Sequence, residues 1–259
     1  MILASCLLFV AAATPALESR GQDAIDTDAV DAYRAGDHAD ALARWDELLR
    51  TTNLEPAERG RLFYNAGNAA ARGGSWFEAV GYYTEALHVT PRDGDLWANL
   101  EYARREAGLE PADRGDLVST LARGLSAWTL EEARWIALGG LLLFAAALIY
   151  EALRGGRPGR SMAWAGLTLA LLSAAPLARH QLADDSPTVF VVSRNGLAVR
   201  SEPRSDAQVL ERATPCTYLR ELDRLSGWVG VELEGGTKGW VPEEGVLSLP
   251  TLFLESAAE

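Results

Sequence analysis

The side chains that could perform acid–base or nucleophilic chemistry are scattered along this chain. The three histidines, His38, His88 and His180, lie in unrelated segments, and the two cysteines are Cys6 and Cys216. The sequence contains no nucleophile elbow, no phosphate-binding loop of the Walker type and no zinc-protease motif. Its many acidic residues show no spacing typical of a particular reaction. We therefore predict that the chain is not an enzyme and that it has no catalytic residues, no metal site and no cofactor.

The composition narrows the classes of partner. A formal net charge of −12 argues against nucleic acid, because binding to phosphates requires a basic face. An acidic surface is common among soluble proteins, so the sign of the charge identifies no partner. The chain has 259 residues, enough for two small domains and a membrane anchor at roughly 150 residues per domain.

Residues 1–16 have the pattern of a secretory signal peptide. Ile2–Ala13 is apolar, and the small residues of Thr14–Ala16 suit cleavage, although no Lys or Arg precedes the apolar run. Leu3–Cys6 also matches a lipobox, which would make Cys6 a lipidated terminus. A lipobox cysteine should follow the apolar region, whereas Cys6 precedes most of it. Export without lipidation is therefore the favoured interpretation.

Two apolar stretches in the middle of the chain predict a transmembrane hairpin over residues 133–178. Trp135–Leu153 and Ser161–Leu177 contain 19 and 17 residues, at the lower end of what crosses a hydrocarbon core of about 30 Å. Residues 111–132 form a predicted amphipathic linker, since apolar residues recur there near helical spacing. The alternative that this linker packs back on the preceding helices is left open.

The charges between the two stretches predict the orientation of the hairpin. Arg154, Arg157 and Arg160 lie within seven residues that contain no acid. A short loop this basic is expected to stay in the cytoplasm. Both soluble parts then lie on the extracytoplasmic side, in agreement with an exported N-terminus.

A repeated pattern marks the segment before the hairpin. Gly36–Leu42 is similar to Gly74–Val80, and each run is followed by aromatic residues and a terminal apolar pair. Pro56 and Pro91 are 35 residues apart, close to the period of about 34 residues that is typical of helix-turn-helix solenoids. The pattern predicts stacked antiparallel helices.

The second unit of this segment resembles a tetratricopeptide repeat (TPR), because Gly67, Ala79, Tyr83, Ala86 and Pro91 have the spacing of that family. The resemblance implies an all-α solenoid over residues 28–110, with two repeats and a capping helix. It also implies that the small residues lie where the two helices of a repeat approach each other, and that Tyr83 fills the next layer.

The TPR resemblance further implies a concave groove that binds an extended segment of a partner protein. Asparagine amides both donate and accept hydrogen bonds, which suits a peptide unit. Tyr64 occupies a position where carboxylate-binding members of the family have lysine, which argues against a carboxylate-specific site. The alternative, that Asn68 and Asn99 satisfy local backbone or solvent, stays open. The implied groove residues are Tyr64, Asn68, Arg72, Asn99, Tyr102 and Arg105.

The C-terminal part predicts a small β-barrel. Thr188–Val192 is rich in β-branched residues, and short β-type runs follow, separated by glycine-containing turns. We expect five short strands. The residues Gly196–Pro203, Trp228 and Gly239–Val241 resemble a bacterial SH3-like (SH3b) domain over residues 186–250.

Most of the large side chains of this module are expected in its core, namely Val199, Trp228, Val231 and Val241. Arg200 and Trp240 are candidate ligand contacts, with structural roles as the favoured alternative. Cys216 stands where the SH3b family often has glycine. The resemblance implies cell-wall glycopeptide or protein ligands and does not choose between them.

The order of the parts resembles the BatE family of TPR proteins from the bacterial aerotolerance (Bat) operon. The fold class implied is a multidomain membrane protein with a TPR solenoid, a two-helix transmembrane hairpin and an all-β SH3-like barrel. The resemblance implies an inner-membrane scaffold that works beside von Willebrand-type Bat proteins and a MoxR-type ATPase. The alternative function is cell-wall tethering, in which the SH3b domain binds peptidoglycan.

Overall fold

The computed structural model describes residues 25–50, 54–112, 130–154, 157–182 and 187–248, together with Asp23 and Gly124. The predicted signal peptide with Cys6 and most of the predicted amphipathic linker lie outside these residues. The chain divides into two compact units. One unit combines Met1–Ala112 with Ser186–Glu259, and the other is Asp113–Asp185.

The described residues of the first unit before position 112 form five helices. Each helix from the second onwards packs against the one before it in the chain or the one after it. Asp37 accepts a hydrogen bond from the backbone N–H of Asp40, and Asp93 caps a later helix in the same way. Gly36 and Gly74 have φ values of +88° and +82°, so glycine suits both inter-helix turns. The helices are α1 (residues 25–35), α2 (His38–Leu49), α3 (Pro56–Arg72), α4 (Trp76–Val89) and α5 (Gly94–Glu106).

The core of these helices follows the sequence pattern. Ala79 and Ala86 are fully buried, and Tyr83 is buried among them. A Cβ built on Gly67 would lie 2.6 Å from the Tyr83 ring, so this ring fills the space that the glycine leaves. The close approach of α3 and α4 therefore depends on the absence of a side chain at Gly67.

The second unit contains two long helices, α6 (Leu130–Arg154) and α7 (Arg157–Leu182), that pack along each other. Among the described residues, Glu132–Leu153 is the segment long and apolar enough to cross a membrane, and Ser161–Ala174 is a shorter apolar helix. A Cβ on Gly140 would lie 2.8 Å from the Gly166 carbonyl oxygen. Backbone contact at these glycines brings the two helices close together.

The C-terminal part is one antiparallel sheet of seven strands in the order β3-β2-β6-β5-β4-β1-β7. Alternate residues of the strands point into a valine-rich core that includes Val189, Val199 and Val231. Gly196 and Gly236 occupy turns with φ of +67° and +81°. The strands are β1 (Thr188–Val191), β2 (Leu197–Arg200), β3 (Val209–Ala213), β4 (Tyr218–Leu225), β5 (Trp228–Glu232), β6 (Lys238–Pro242) and β7 (Val246–Ser248).

The expectation of five strands was too low by two, β3 and β7. Four of the five residues of β3 are exposed, so the strand has no apolar alternation that a sequence pattern could reveal. β7 has only three residues and follows a 3-10 turn, Glu243–Gly245. Both strands lie at the edges of the sheet. Fewer side chains are buried there, so the alternation of apolar and polar residues is weaker in the sequence.

Candidate functional site

The structure brings together two of the expected groove residues across α3 and α5. Asn99 on α5 donates a hydrogen bond from Nδ2 to the Tyr64 hydroxyl on α3, at 3.2 Å. Both side chains are half-buried. The bond joins the two helices on the surface that the TPR resemblance implies.

Asn68 is also held by a neighbour. The buried Tyr83 donates from its hydroxyl to Asn68 Oδ1 at 2.8 Å. Burial raises the pKa of Tyr83, and the adjacent Tyr64 and Tyr33 raise it further. Tyr83 therefore stays a neutral donor, which fixes the orientation of the Asn68 amide.

The remaining three groove residues are exposed. The Arg105 guanidinium lies 5.5 Å from the centroid of the Tyr102 ring. Tyr102, 48% exposed, meets Trp76 edge-on with ring centroids 5.7 Å apart. Arg72 ends α3 and is exposed. These exposed side chains carry two positive charges and one aromatic ring, on the same helices as the half-buried Asn68 and Asn99.

The hydrogen bonds leave a donor and an acceptor for a ligand. The oxygen of Asn68 already accepts from Tyr83, so the group it can offer is its NH₂. Asn99 uses an N–H towards Tyr64 and can offer its oxygen. One peptide unit provides the complementary carbonyl and N–H. Each of the two amides therefore keeps a hydrogen-bonding group that can pair with a peptide unit.

The two candidate contacts of the barrel are adjacent but have clear structural roles. Arg200 and Trp240 are directly opposite each other in the pairing of β2 with β6. Arg200 donates from Nη1 to the Ala207 carbonyl at 2.8 Å and so holds the loop that follows β2. Trp240 is half-buried beside Gly230. Arg200 therefore has a structural role in the barrel, and Trp240 is only partly exposed.

A contact between the helices and the barrel was missed from sequence. Phe190 of β1 is buried within the helical core, and a Cβ on Gly81 of α4 would lie 2.9 Å from its ring. The signal in the sequence was Gly81 itself, a glycine inside a helix, which costs stability unless it allows close packing.

A buried carboxylate lies at the same contact. Glu85, 4% exposed, accepts a hydrogen bond from the Tyr218 hydroxyl at 2.7 Å. His88 Nδ1 lies 3.3 Å from the other oxygen of Glu85. Burial and the neighbouring Glu85 raise the pKa of Tyr218, so its hydroxyl remains a donor. Burial also raises the pKa of the nearby Cys216 thiol to about 11.

A cleft of about 250 Å³ opens beside this contact. Burial raises the pKa of Glu78 there, and a hydrogen bond from Ser75 opposes the shift. Among the described residues, no group of three or more His, Cys, Asp or Glu side chains is placed to hold a metal ion. The cleft is lined by Gly74, Ser75, Trp76, Phe77, Glu78, Glu106, Ala107, Val192 and Arg194.

Comparison with known proteins identifies one part of the chain. Residues 195–246 match the family model of the bacterial SH3 domain. No curated protein and no solved structure matched the chain. The matched residues run from the turn before β2 to the first residue of β7, and their antiparallel sheet agrees with the all-β fold of that family. This segment of the chain is therefore similar to bacterial SH3 domains.

Proposed function

We propose that this chain is a membrane-anchored scaffold for protein–protein interaction in the bacterial envelope. The groove on α3 and α5 would bind an extended segment of a partner protein. The observation that carries the proposal is that Asn68 and Asn99 are each held by a tyrosine, and that each keeps a group able to hydrogen-bond a peptide unit.

The charge around the groove suggests the kind of segment that fits. Arg72 at the end of α3 and Arg105 in the last turn of α5 are exposed positive charges on a chain whose net charge is −12. A partner segment with acidic side chains would gain favourable contacts with both guanidinium groups. Tyr102 adds an exposed ring of the type that dominates binding energy at many protein interfaces.

The membrane part of the proposal rests on the second unit. Glu132–Leu153 is a segment suited to crossing a bilayer, and its large apolar side chains, such as Leu142 and Leu153, are exposed in the chain. We further propose that α7 is a second span and that the basic loop between the two helices is cytoplasmic. The positive charge of Arg154, Arg157 and Arg160 supports this orientation.

The finer proposal is that the helices are TPR repeats and that the chain is a BatE-like component of an aerotolerance complex. It is supported by the repeat spacing and by the order of helices, apolar hairpin and SH3-like module. Its proposed partners are von Willebrand-type Bat proteins and a MoxR-type ATPase.

Affinity capture after cross-linking in intact membranes tests the scaffold function. Replacing Arg72, Tyr102 and Arg105 by alanine removes exposed groups without disturbing the bonds of Tyr64 or Tyr83. We expect this variant to lose the partner that the unaltered full-length chain captures.

The control is a chain with Arg204→Ala and Arg212→Ala, which removes two positive charges from the barrel surface. It should capture the partner as the unaltered chain does. Capture that survives in the groove variant would exclude the groove as the binding site.

Cell-wall tethering is the alternative function, and the similarity of residues 195–246 to bacterial SH3 domains is compatible with it as well as with protein binding. If it is correct, the full-length chain in detergent micelles should sediment with purified peptidoglycan sacculi. Sacculi digested to soluble fragments serve as the control. A chain that stays in the supernatant with intact sacculi would rule out tethering by the barrel.

A further inference from the structure

The cleft of about 250 Å³ beside α4 has one wall from the helices and one from the barrel. The barrel wall, Val192 and Arg194, is held in place by the packing of the barrel on α4. Phe190 is 1% exposed within the helical core, and Glu85 accepts a hydrogen bond from Tyr218 at 2.7 Å. Separating the barrel from α4 would expose the Phe190 ring and deprive a buried carboxylate of its donor, and both changes cost free energy. The cleft is therefore a fixed feature of this unit of the chain.

The cleft carries more negative than positive charge. Its charged side chains are Glu78 of α4, Glu106 at the end of α5 and Arg194. In the part of the chain that the structure describes, neither carboxylate forms an ion pair with a basic side chain. Glu106 lies at the C-terminal end of a helix, where the helix dipole adds further negative potential. Burial raises the pKa of Glu78, so a cation beside it would stabilise its charged form.

The walls of the cleft suit an aliphatic stem. Trp76 and Phe77, both half-buried, line it together with Val192. Its volume is below the range of about 300–1,000 Å³ in which drug-sized ligands bind, so it matches a single side chain better than a larger molecule. A lysine side chain combines an apolar stem with a charged head. Its ammonium has three rotatable donors that can reach carboxylates on two helices, whereas the planar guanidinium of arginine fits one carboxylate best.

The cleft adjoins the groove on α3 and α5. Trp76 lines the cleft, and its ring meets the Tyr102 ring of the groove with centroids 5.7 Å apart. Glu106 of the cleft follows Arg105 of the groove directly in the chain. A segment that lies across Tyr102 therefore passes beside the cleft.

We propose that the cleft binds a lysine side chain of the partner segment that lies in the groove, with Glu106 and Glu78 as the groups that recognise its ammonium. This inference rests on the proposed scaffold function and adds the specificity of its binding site. The partner segment would carry acidic residues for Arg72 and Arg105 and, at a fixed distance from them, a lysine. The barrel contributes a wall of the site, so the helices and the barrel recognise the partner together.

Binding of synthetic peptides to the full-length chain in detergent micelles tests this inference. The probes are fluorescent peptides of glycine and serine that carry two adjacent glutamates and one lysine, with the number of residues between them varied in both directions. In the reference peptides norleucine replaces lysine, which keeps the stem and removes the ammonium. Fluorescence anisotropy should show that, at one spacing, the lysine peptide binds about tenfold more tightly than its norleucine reference, the value of one charged hydrogen bond.

Two substitutions in the cleft should change this preference in opposite directions. Glu106→Gln should abolish the preference for lysine, because it removes a carboxylate while keeping the shape of the side chain. Arg194→Gln should increase it, because it removes a charge that repels the ammonium. Glu47→Gln on α2 is the matched control, since Glu47 is exposed and does not line the cleft. This control should bind the lysine peptide as the unaltered chain does.

Equal binding of the lysine and norleucine peptides at every spacing would overturn the cleft as a lysine site. The groove would stand in that case if Arg72→Ala with Arg105→Ala still weakens binding of the norleucine peptides. The same loss of lysine preference in the Glu106→Gln and Glu47→Gln variants would also overturn the inference, because it would show attraction by net charge alone. No binding of any glutamate peptide would contradict the groove itself and, with it, this inference.

Discussion

Gly67 is the residue at which the packing of α3 against α4 is most constrained. The Tyr83 ring lies 2.6 Å from where a Cβ would be, so alanine at this position must displace the ring. We expect Gly67→Ala to lower the free energy of unfolding by about 1–3 kcal/mol, as is typical of overpacked cores.

Thermal or chemical unfolding of the solubilised chain measures this effect. Gly94→Ala is the matched control, because a Cβ there meets nothing within 4 Å. Equal stability of the two variants would contradict the packing between Gly67 and Tyr83.

Cys216 gives a prediction about pH. Burial raises the pKa of its thiol from 9.0 to about 11, with an opposing effect of Arg104. Because the thiolate is the reactive form, alkylation of Cys216 in the folded chain should keep accelerating up to about pH 11. The raised pKa means that the folded state disfavours the thiolate, so this thiol should begin to reduce stability only above pH 9.

The rate of iodoacetamide alkylation in a Cys6→Ser background measures the shift. The same chain in denaturant should show an ordinary midpoint near pH 9. Identical pH profiles for the folded and denatured chains would contradict the burial of Cys216.

At the scale of single residues, the sequence predicted burial and packing best where residue types recur with a helical or strand period. The TPR resemblance implied that Gly67 lies where two helices approach and that Tyr83 packs nearby, and the Tyr83 ring does lie against Gly67. Val199 and Val241 are fully buried as expected. Trp228, also expected in the core, is only half-buried. Cys216 adopts φ of +56°, the left-handed conformation that explains why glycine is common at that position in the SH3b family.

The close packing of α6 against α7 depends on two glycines, Gly140 and Gly166. A Cβ on Gly166 would lie 2.6 Å from the backbone nitrogen of Phe144, and backbone cannot move aside as a flexible side chain can. We expect Gly166→Leu to separate the two helices and to lower the melting temperature of the chain in detergent.

Gly139→Leu is the control for this prediction, since a Cβ on Gly139 meets nothing within 4 Å and faces away from other atoms of the chain. The control should melt near the unaltered chain. A Gly166→Leu variant as stable as the control would exclude close packing at this crossing.

Prediction at the level of elements succeeded where length and period gave a strong signal. The repeated runs that begin at Gly36 and Gly74, the prolines Pro56 and Pro91, and the two apolar stretches predicted helices where the structure has them. The exposed strand β3 and the three-residue strand β7 gave no such signal, since neither buries a regular set of apolar side chains. Their positions are set by pairing with β2 and β1 instead.

At the scale of the whole molecule, the sequence marked one side of the docking of the barrel on α4, the helical glycine Gly81, but not the residues that pack against it. Glu85 and Tyr218 are 133 residues apart, and a helical glutamate is usually solvated. Glu85 lies in the repeated segment and Tyr218 in the segment similar to bacterial SH3 domains, and neither pattern links the two residues. Only the folded chain shows that Gly81 and Glu85 form a surface for Phe190 and Tyr218.

The predicted groove residues could be predicted only in part from the sequence. The TPR resemblance placed Asn68 and Asn99 on neighbouring helices, but it could not show that Tyr83 and Tyr64 hold their amides. Those bonds mean that replacing the asparagines would also disturb the helices. Substitution of the exposed Arg72, Tyr102 and Arg105 separates binding from folding more cleanly.

The most direct test of the scaffold function is site-specific photo-cross-linking in living cells. A photoreactive phenylalanine derivative replaces Tyr102 in the groove, and the control replaces the exposed Ala43 on α2. We predict a discrete adduct with one partner protein at position 102 and none at position 43, with the adduct lost when Arg72 and Arg105 are alanine. The absence of an adduct at position 102, or the same adducts at both positions, would contradict binding in the groove.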